Sequence, residues 1–284
     1  MSRTYSKRWP LVVVLLALAI SGAYAQEQEE EYKPFIGQPG KDVVWVPTEE
    51  NLVEKMLDLA EVTPGDYVID LGSGDGRTVI AAAKRGAVAH GIEFNPDMVA
   101  LSKRNAVEAG VTDKATFVTA DIFESDISTA TVITMFLLPD INLKLRPMLL
   151  DLKPGTRIVS NSFTMQDWKA DETVNVGADC QTWCTAYLWI VPAKVEGKWR
   201  LPDGELDLSQ HFQTITGTLT LKGESRPVAG QLKGDKINIK AGDMEYSGRV
   251  KGNTIAGTLI TTAGNSSWEA TKQEDTALPI ASGQ

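Results

Sequence analysis

Apolar positions along the chain follow three successive patterns. Residues 11–20 form an unbroken apolar run. Between residues 52 and 160, short apolar runs alternate with apolar positions at helical spacing. Beyond about residue 206, apolar and polar residues alternate singly and glycine recurs between them.

The middle pattern resolves into elements. Leu52, Val53, Met56, Leu57 and Ala60 give one apolar helical face, with Thr48 as a candidate N-cap and Glu49 and Glu50 in the first turn. Pro64-Gly65 breaks the chain before Tyr67-Val68-Ile69, a short β-prone run. Residues 78–85 read as a helix and residues 87–94 as a second strand. Asn95-Pro96-Asp97 then opens a helix that Gly110 stops. Residues 116–120 and 131–138 are the third and fourth strands. Residues 142–152 are helical, kinked or restarted at Pro147, and residue 157 opens a fifth strand. Strands alternating with helices predict an α/β fold with a doubly wound, mostly parallel sheet.

The last pattern is of another kind. Residues 230–237 and 248–255 each read as strand, Gly-Asp or Gly-Asn turn, strand, which is the signature of a β-hairpin. With residues 214–221 and 255–262 they predict a small antiparallel β domain over residues 206–272, a sandwich or barrel-like module, ending in a frayed tail over 273–284. Residues 185–191 and 198–201 fit either the last strands of the α/β sheet, in a domain over residues 43–205, or the first of the added module.

At the other end, Arg3, Lys7 and Arg8 precede the apolar run, and Ala23-Tyr24-Ala25 follows it. This is the layout of a secretory signal peptide over residues 1–25, cleaved before Gln26 to give a periplasmic or secreted protein. The alternative is a membrane anchor over residues 10–21. Residues 26–42 read as a disordered linker, acidic at first and then rich in Pro and Gly.

Charge narrows the choice of partners. The net charge is −9, and leader removal takes away positive charges only. An acidic chain argues against nucleic acid as the main partner. The cysteines, Cys180 and Cys184, are spaced C-x3-C, and His90 and His211 lie far from each other in the chain. That spacing makes no zinc site. In an oxidising compartment the cysteines can pair with each other. His90 reads as a satisfied core group and His211 as a strand residue.

The strongest local signal is Asp70-Leu71-Gly72-Ser73-Gly74-Asp75-Gly76-Arg77. A strand ends in a glycine turn that opens a helix, so backbone N–H groups face any ligand placed there. A dinucleotide fold wants G-x-G-x-x-G, and Arg77 stands at the third glycine position. Asp70 at the strand tip repels a pyrophosphate and suits a cationic amino group. Glu93, at the end of the second strand, can accept both hydroxyls of a ribose.

This turn resembles the first motif of class I S-adenosylmethionine (SAM) methyltransferases. Together with Val46-Pro47-Thr48, Phe136-Leu137-Leu138-Pro139, Leu152-Lys153-Pro154-Gly155-Thr156-Arg157, Phe163 and Trp168, it resembles the bacterial and mitochondrial-type enzymes that trimethylate lysine, including the lysine of the ATP synthase c-subunit. The first motif is also similar to that of the non-SET histone lysine methyltransferase. The resemblance covers roughly residues 43–170. It implies a Rossmann-like fold, SAM as cofactor, and donor contacts from Thr48, Asp70, Gly72, Ser73, Gly74, Asp75, Gly76 and Glu93. It further implies that Asp121 reaches the adenine amine while Ile122 packs on the ring. Along Ser160-Asn161-Ser162-Phe163-Thr164-Met165 the chain departs from relatives, which often carry a His or an acid there.

Methyl transfer from a sulfonium needs proximity rather than a protein nucleophile. A lysine acceptor must also be neutral, and burial in an apolar slot lowers its pKa. Phe136, Leu137, Leu138, Pro139 and Trp168 are candidates to line that slot, with Asn161 beside it; Leu137 and Leu138 read equally well as core. The acceptor is expected to be a protein lysine. A small molecule or lipid is the alternative, and a non-catalytic binding protein of the cell envelope is a third reading. SAM is made in the cytoplasm, so an exported domain requires that SAM reach the envelope or that the leader anchor a domain left inside.

Overall fold

The computed structural model describes residues 1–2, 32–177 and 180–273. The expected leader, beyond its first two residues, and the tail past residue 273 lie outside the described residues. The chain divides into two units, Met1–Lys33 and Pro34–Gln284, and the fold described is that of the second. Among the described residues, no helix is long and apolar enough to cross a membrane.

The α/β part runs α1 (Glu50–Leu59), β1 (Tyr67–Leu71), α2 (Arg77–Lys84), β2 (Val88–Glu93), α3 (Pro96–Glu108), β3 (Ala115–Thr119), β4 (Val132–Met135), α4 (Pro139–Leu150), β5 (Arg157–Asn161), β6 (Glu172–Asn175) and β7 (Thr185–Ile190). Its sheet has seven strands in the order β3-β2-β1-β4-β5-β7-β6. The first five strands are parallel, β7 runs antiparallel to β5, and β6 antiparallel to β7. Strand neighbours alternate between two apolar layers. Val68, Val132 and Val159 pack with α1 and α2, whereas Ile69, Ile133 and Ile158 pack with Leu145 and Leu149 of α4. The central strands are therefore buried on both faces, as a parallel sheet requires. Strand order reverses between β1 and β4, and ligands of open α/β sheets bind at the carboxyl ends on either side of such a reversal.

Several expectations change. Glu49, not Thr48, precedes α1, and no side chain caps that helix. β6 has no counterpart in the sequence reading, because its edge position leaves it largely exposed and polar. The stretch read as linker is ordered from Pro34: Gly37 N donates to Trp45 O at 2.8 Å and Trp45 N to Gln38 O at 2.9 Å. Residues 34–47 thus form a strap with an antiparallel bridge between Pro39 and Val44.

The C-terminal module is a closed barrel of eight strands: β8 (Gly197–Leu201), β9 (Gly204–His211), β10 (Thr214–Leu221), β11 (Glu224–Lys233), β12 (Lys236–Ala241), β13 (Met244–Lys251), β14 (Thr254–Thr261) and β15 (Gly264–Lys272). It begins at Gly197 rather than at 206, because β8 closes the ring against β15. Trp199, Leu208, Ile215, Ile239, Ile255 and Trp268 fill its interior. The β9–β10 turn docks the barrel on the α/β part. Phe212 stacks on Trp168 with ring centroids 5.7 Å apart, the Arg146 guanidinium lies 5.2 Å from the Phe212 ring, and Gln213 Nε2 donates to Lys169 O at 2.8 Å.

Phe212→Ala should therefore loosen the barrel without unfolding it. The expected loss is about 2 kcal/mol in denaturant unfolding, together with faster trypsin cleavage at Lys194, in the connection between β7 and β8. Unchanged cleavage would show that the stack does not hold the two parts together.

Candidate functional site

The glycine turn leaves the sheet where β1 ends. Gly72 N and Ser73 N both donate to Ile92 O, at 2.9 and 3.0 Å, which ties the turn to β2. Gly72, Gly74 and Gly76 have φ of +77°, +53° and +83°, a conformation that favours glycine. At Gly76 a Cβ would lie 2.7 Å from the Phe117 ring and from Ser102 Cβ. Gly76 therefore supplies the close helix-on-sheet packing that the third glycine gives a dinucleotide fold. At Gly74 a Cβ would sit 2.7 Å from Trp45 Nε1, so the strap lies directly on the turn.

Three carboxylates converge beside the turn. Asp70 is buried and accepts a hydrogen bond from Thr134 Oγ1 at 2.6 Å. Burial pushes its pKa up to about 7 against the pull of Thr134, and the charges of Glu93 and Asp75 add to the rise. Glu93 is fixed by two backbone donors, Gly74 N to Oε2 at 3.0 Å and Asn95 N to Oε1 at 2.9 Å. Asp75 is clasped by Arg77, with Nη2 2.6 Å from Oδ2 and Nε 3.0 Å from Oδ1. The same guanidinium donates from Nη1 to Thr48 O at 2.9 Å, and Asn161 Nδ2 donates to Thr48 Oγ1 at 3.1 Å.

These groups face a cavity of about 210 Å³ that is open to solvent. Thr48, Asp70, Gly72, Ser73, Gly74, Asp75 and Glu93 line it on the carboxylate side. Phe136, Leu137, Leu138, Phe163 and Trp183 line the other side, and Trp45 of the strap roofs it. Ser73 Oγ and Asn161 Oδ1 are buried without a hydrogen-bond partner among the described residues. Buried orphans of this kind call for a ligand contact or a bound water. A pocket holding three carboxylates, with its arginine already paired, suits a cationic ligand with hydroxyls, and SAM has that chemistry.

Some expected residues stand elsewhere. Gly76 shapes the turn from behind rather than lining the cavity. Asp121 is bound to Lys41 of the strap and to Phe123 N at 2.9 Å, and the Lys41 bond holds its carboxyl below the usual range. Ile122 is half-buried against the core beneath β4. Pro139 is the first residue of α4, outside the cavity lining. Asn161 sits behind Thr48 as its anchor. Trp168 is fully buried against Trp189 and Phe212, so it supports the barrel contact and does not line a substrate slot. Trp45, Arg77, Phe163 and Trp183 were not singled out as site residues. For Trp183 the available signal was its place between the two cysteines.

The family model described as the ANTKMT methyltransferase domain matches residues 70–172, so the barrel strands lie outside it. A protein-lysine N-methyltransferase of Saccharolobus islandicus (strain REY15A) is 44% identical over 152 residues, covering 52% of this chain and 94% of its own. A lysine N-methyltransferase of the ATP synthase c-subunit, from Rattus norvegicus, is 34% identical over 149 residues, covering 51% of this chain and 68% of its own. A solved structure of an RNA methyltransferase from Salinibacter ruber, in complex with S-adenosyl-L-homocysteine, superposes with a TM-score of 0.50 at 47% identity, covering 53% of this chain and 96% of that one.

Asp70 should make ligand binding depend on pH. The ligand's ammonium favours the ionised carboxylate, so S-adenosyl-L-homocysteine should bind at constant affinity above pH about 7. Below that its affinity should fall by up to tenfold per pH unit. In the ligand-free protein the raised pKa acts the other way: the contribution of Asp70 to stability is greatest below about pH 4 and declines by about 4 kcal/mol as pH rises to about 7. Calorimetric titration across pH 5–9 reads the first effect, and Asp70→Asn, which can still accept from Thr134, should abolish the slope. A slope that survives in Asp70→Asn would assign it to another group.

Proposed function

The chain belongs to the protein-lysine N-methyltransferase family of SAM-dependent methyltransferases, and we propose that it methylates a lysine side chain of a protein met outside the cytoplasm. The bound donor supplies a methyl group on a positively charged sulfur. Asp70 would hold the donor's ammonium and Glu93 its ribose hydroxyls, with the Ser73-Gly74 turn against it.

The observation that carries the lysine reading is the character of the far wall. Phe136, Leu137, Leu138, Phe163 and Trp183 offer an apolar, aromatic slot opposite the carboxylates. Such a wall desolvates an amine and lowers its pKa, which raises the neutral fraction that can attack. The neighbouring Thr48 hydroxyl and Asn161 amide are no bases near neutral pH, and the cavity carboxylates are taken up by the donor and by Arg77, so the acceptor's proton leaves to solvent. The relatives that act on protein lysine support the same reading. The likeness to an RNA methyltransferase raises a nucleic-acid acceptor as the rival. The net charge of −9 and the three cavity carboxylates weigh against it.

The compartment rests on two features. Residues 1–25 have the layout of a leader, and Cys180 and Cys184 are joined in a disulfide, a bond that persists in oxidising compartments. Exposed apolar residues of the strap, Phe35, Ile36 and Val44, suit an acceptor held close to a membrane.

Incubating the protein with tritiated SAM and a fractionated envelope extract tests the acceptor. Label should appear in methylated lysine after acid hydrolysis of protein; label confined to RNA or lipid would overturn the reading. For the compartment, the mature protein should begin at Gln26 by N-terminal sequencing, and an intact Met1 on a cytoplasmic protein would refute export.

A further inference from the structure

The disulfide lies in the connection between β6 and β7. Because β7 runs antiparallel to β5, this connection returns to the carboxyl edge of the sheet, where the cavity opens. Val176 N donates to Cys184 O at 3.0 Å and Ser162 N to Thr185 O at 2.7 Å, fixing both sides of its base. Within the five-residue ring closed by Cys180 and Cys184 sits Trp183. Its φ is +55°, in the left-handed region that bulky residues avoid, and its side chain is 44% exposed. A tryptophan kept strained and exposed at a cavity mouth calls for a reason.

Its neighbours supply one. The Trp183 ring meets Phe136 edge-on at 5.8 Å, and Phe136 stacks on Phe163 at 5.9 Å. The three rings come from three successive connections, those after β4, β5 and β6, and all line the cavity that holds Asp70 and Glu93. Among the described residues, the cations that lie over rings do so at Phe94, Phe123, Phe212 and Trp199. The three rings of the slot are thus left for a cation from outside the protein.

Resting on the lysine reading above, we propose that Trp183 is a specificity-determining residue, the third wall of an aromatic box with Phe136 and Phe163 that receives the acceptor once it is a methylated, weakly hydrated ammonium, and that the Cys180–Cys184 disulfide holds it there. In the transfer, the acceptor nitrogen first loses a proton to solvent. Its lone pair then forms the N–C bond as the S–C bond breaks and leaves its electrons on sulfur. Each added methyl group makes the resulting ammonium larger and less strongly hydrated, and so better suited to an aromatic box. The box therefore retains partly methylated lysine and drives the reaction toward di- and trimethyl products.

The test uses the full chain with S-adenosyl-L-homocysteine bound, and Nα-acetyl-trimethyllysine as the probe, followed by calorimetry. Trp183→Ala should weaken probe binding roughly tenfold, and Trp183→Phe should keep it within about threefold. Wild-type protein treated with dithiothreitol, and a Cys180→Ser, Cys184→Ser variant, should both lose probe affinity. All should bind S-adenosyl-L-homocysteine within about twofold of wild type, which separates loss of the box from loss of the fold. In the tritium assay, Trp183→Ala should shift the labelled products toward monomethyllysine. If wild type labels lysine but Trp183→Ala binds the probe and distributes products as wild type does, the box is refuted while the lysine reading stands. If wild type labels only RNA or lipid, both fall together.

Discussion

A carboxylate buried beside two others is unstable as an anion until a cation arrives, and sheet register enforces that arrangement here. Asp70 lies opposite Thr134 in the β1–β4 pairing and opposite Gly91 in the β1–β2 pairing. The first partner supplies a hydroxyl donor. The second has no side chain: a Cβ there would meet Ser73 Oγ at 2.5 Å, so Gly91 lets the turn close over the strand. Glu93 ends β2 two residues further on, and its backbone-bonded carboxylate pins Gly74. Arg77, the one arginine lining the cavity among the described residues, is already bound to Asp75. The turn thus keeps its negative charge for a ligand, and everything above it, strap included, is arranged around that need.

The acceptor side is built by other means. Phe163 is placed through its backbone, since Asn142 Nδ2 from α4 donates to the carbonyls of Phe163 and Thr164 at 3.3 and 3.4 Å. Arg146, one turn later on the same helix, donates to Met165 O at 3.1 Å and pairs with Asp167. Trp168 ends this segment, and the barrel presses on it through Phe212. The barrel therefore supports, from outside, the stretch that delivers one ring of the slot. A filled interior suits it to that mechanical role.

The carboxylate side could be read from the sequence because its residues sit on regular elements. Asp70 and Glu93 fall at strand ends and the three glycines in the turn from β1 to α2, positions that follow from apolar runs and turn residues. The parallel sheet and the two hairpins were legible for the same reason. What stayed hidden depends on long-range contact. Asn161 looks like a deviant position in a catalytic segment until Thr48, 113 residues away, is seen to accept its hydrogen bond. Asp121 pairs with Lys41, 80 residues away in a stretch that reads as linker. Trp168 sits within the family motif, yet the two rings it packs on, Trp189 of β7 and Phe212 of the barrel, both lie beyond the family match. β6 is too polar to show a strand period, so the β6–β7 connection, and Trp183 on it, had no place in a sequence reading.

The size of the disulfide ring shows what the bond is for. Closing a five-residue loop removes little entropy from the unfolded chain, about 2 kcal/mol on the loop-closure account, against nearly 5 for a loop of 100 residues. A bond serving global stability would join distant parts of the chain, and this one joins the ends of a single turn. The α/β domain and the barrel each have an apolar core, and residues 180–184 belong to neither. Its effect is therefore local, on the conformation of residues 180–184. There it offsets the left-handed backbone of Trp183, which without the bond would relax toward the common regions of φ and withdraw the ring from Phe136.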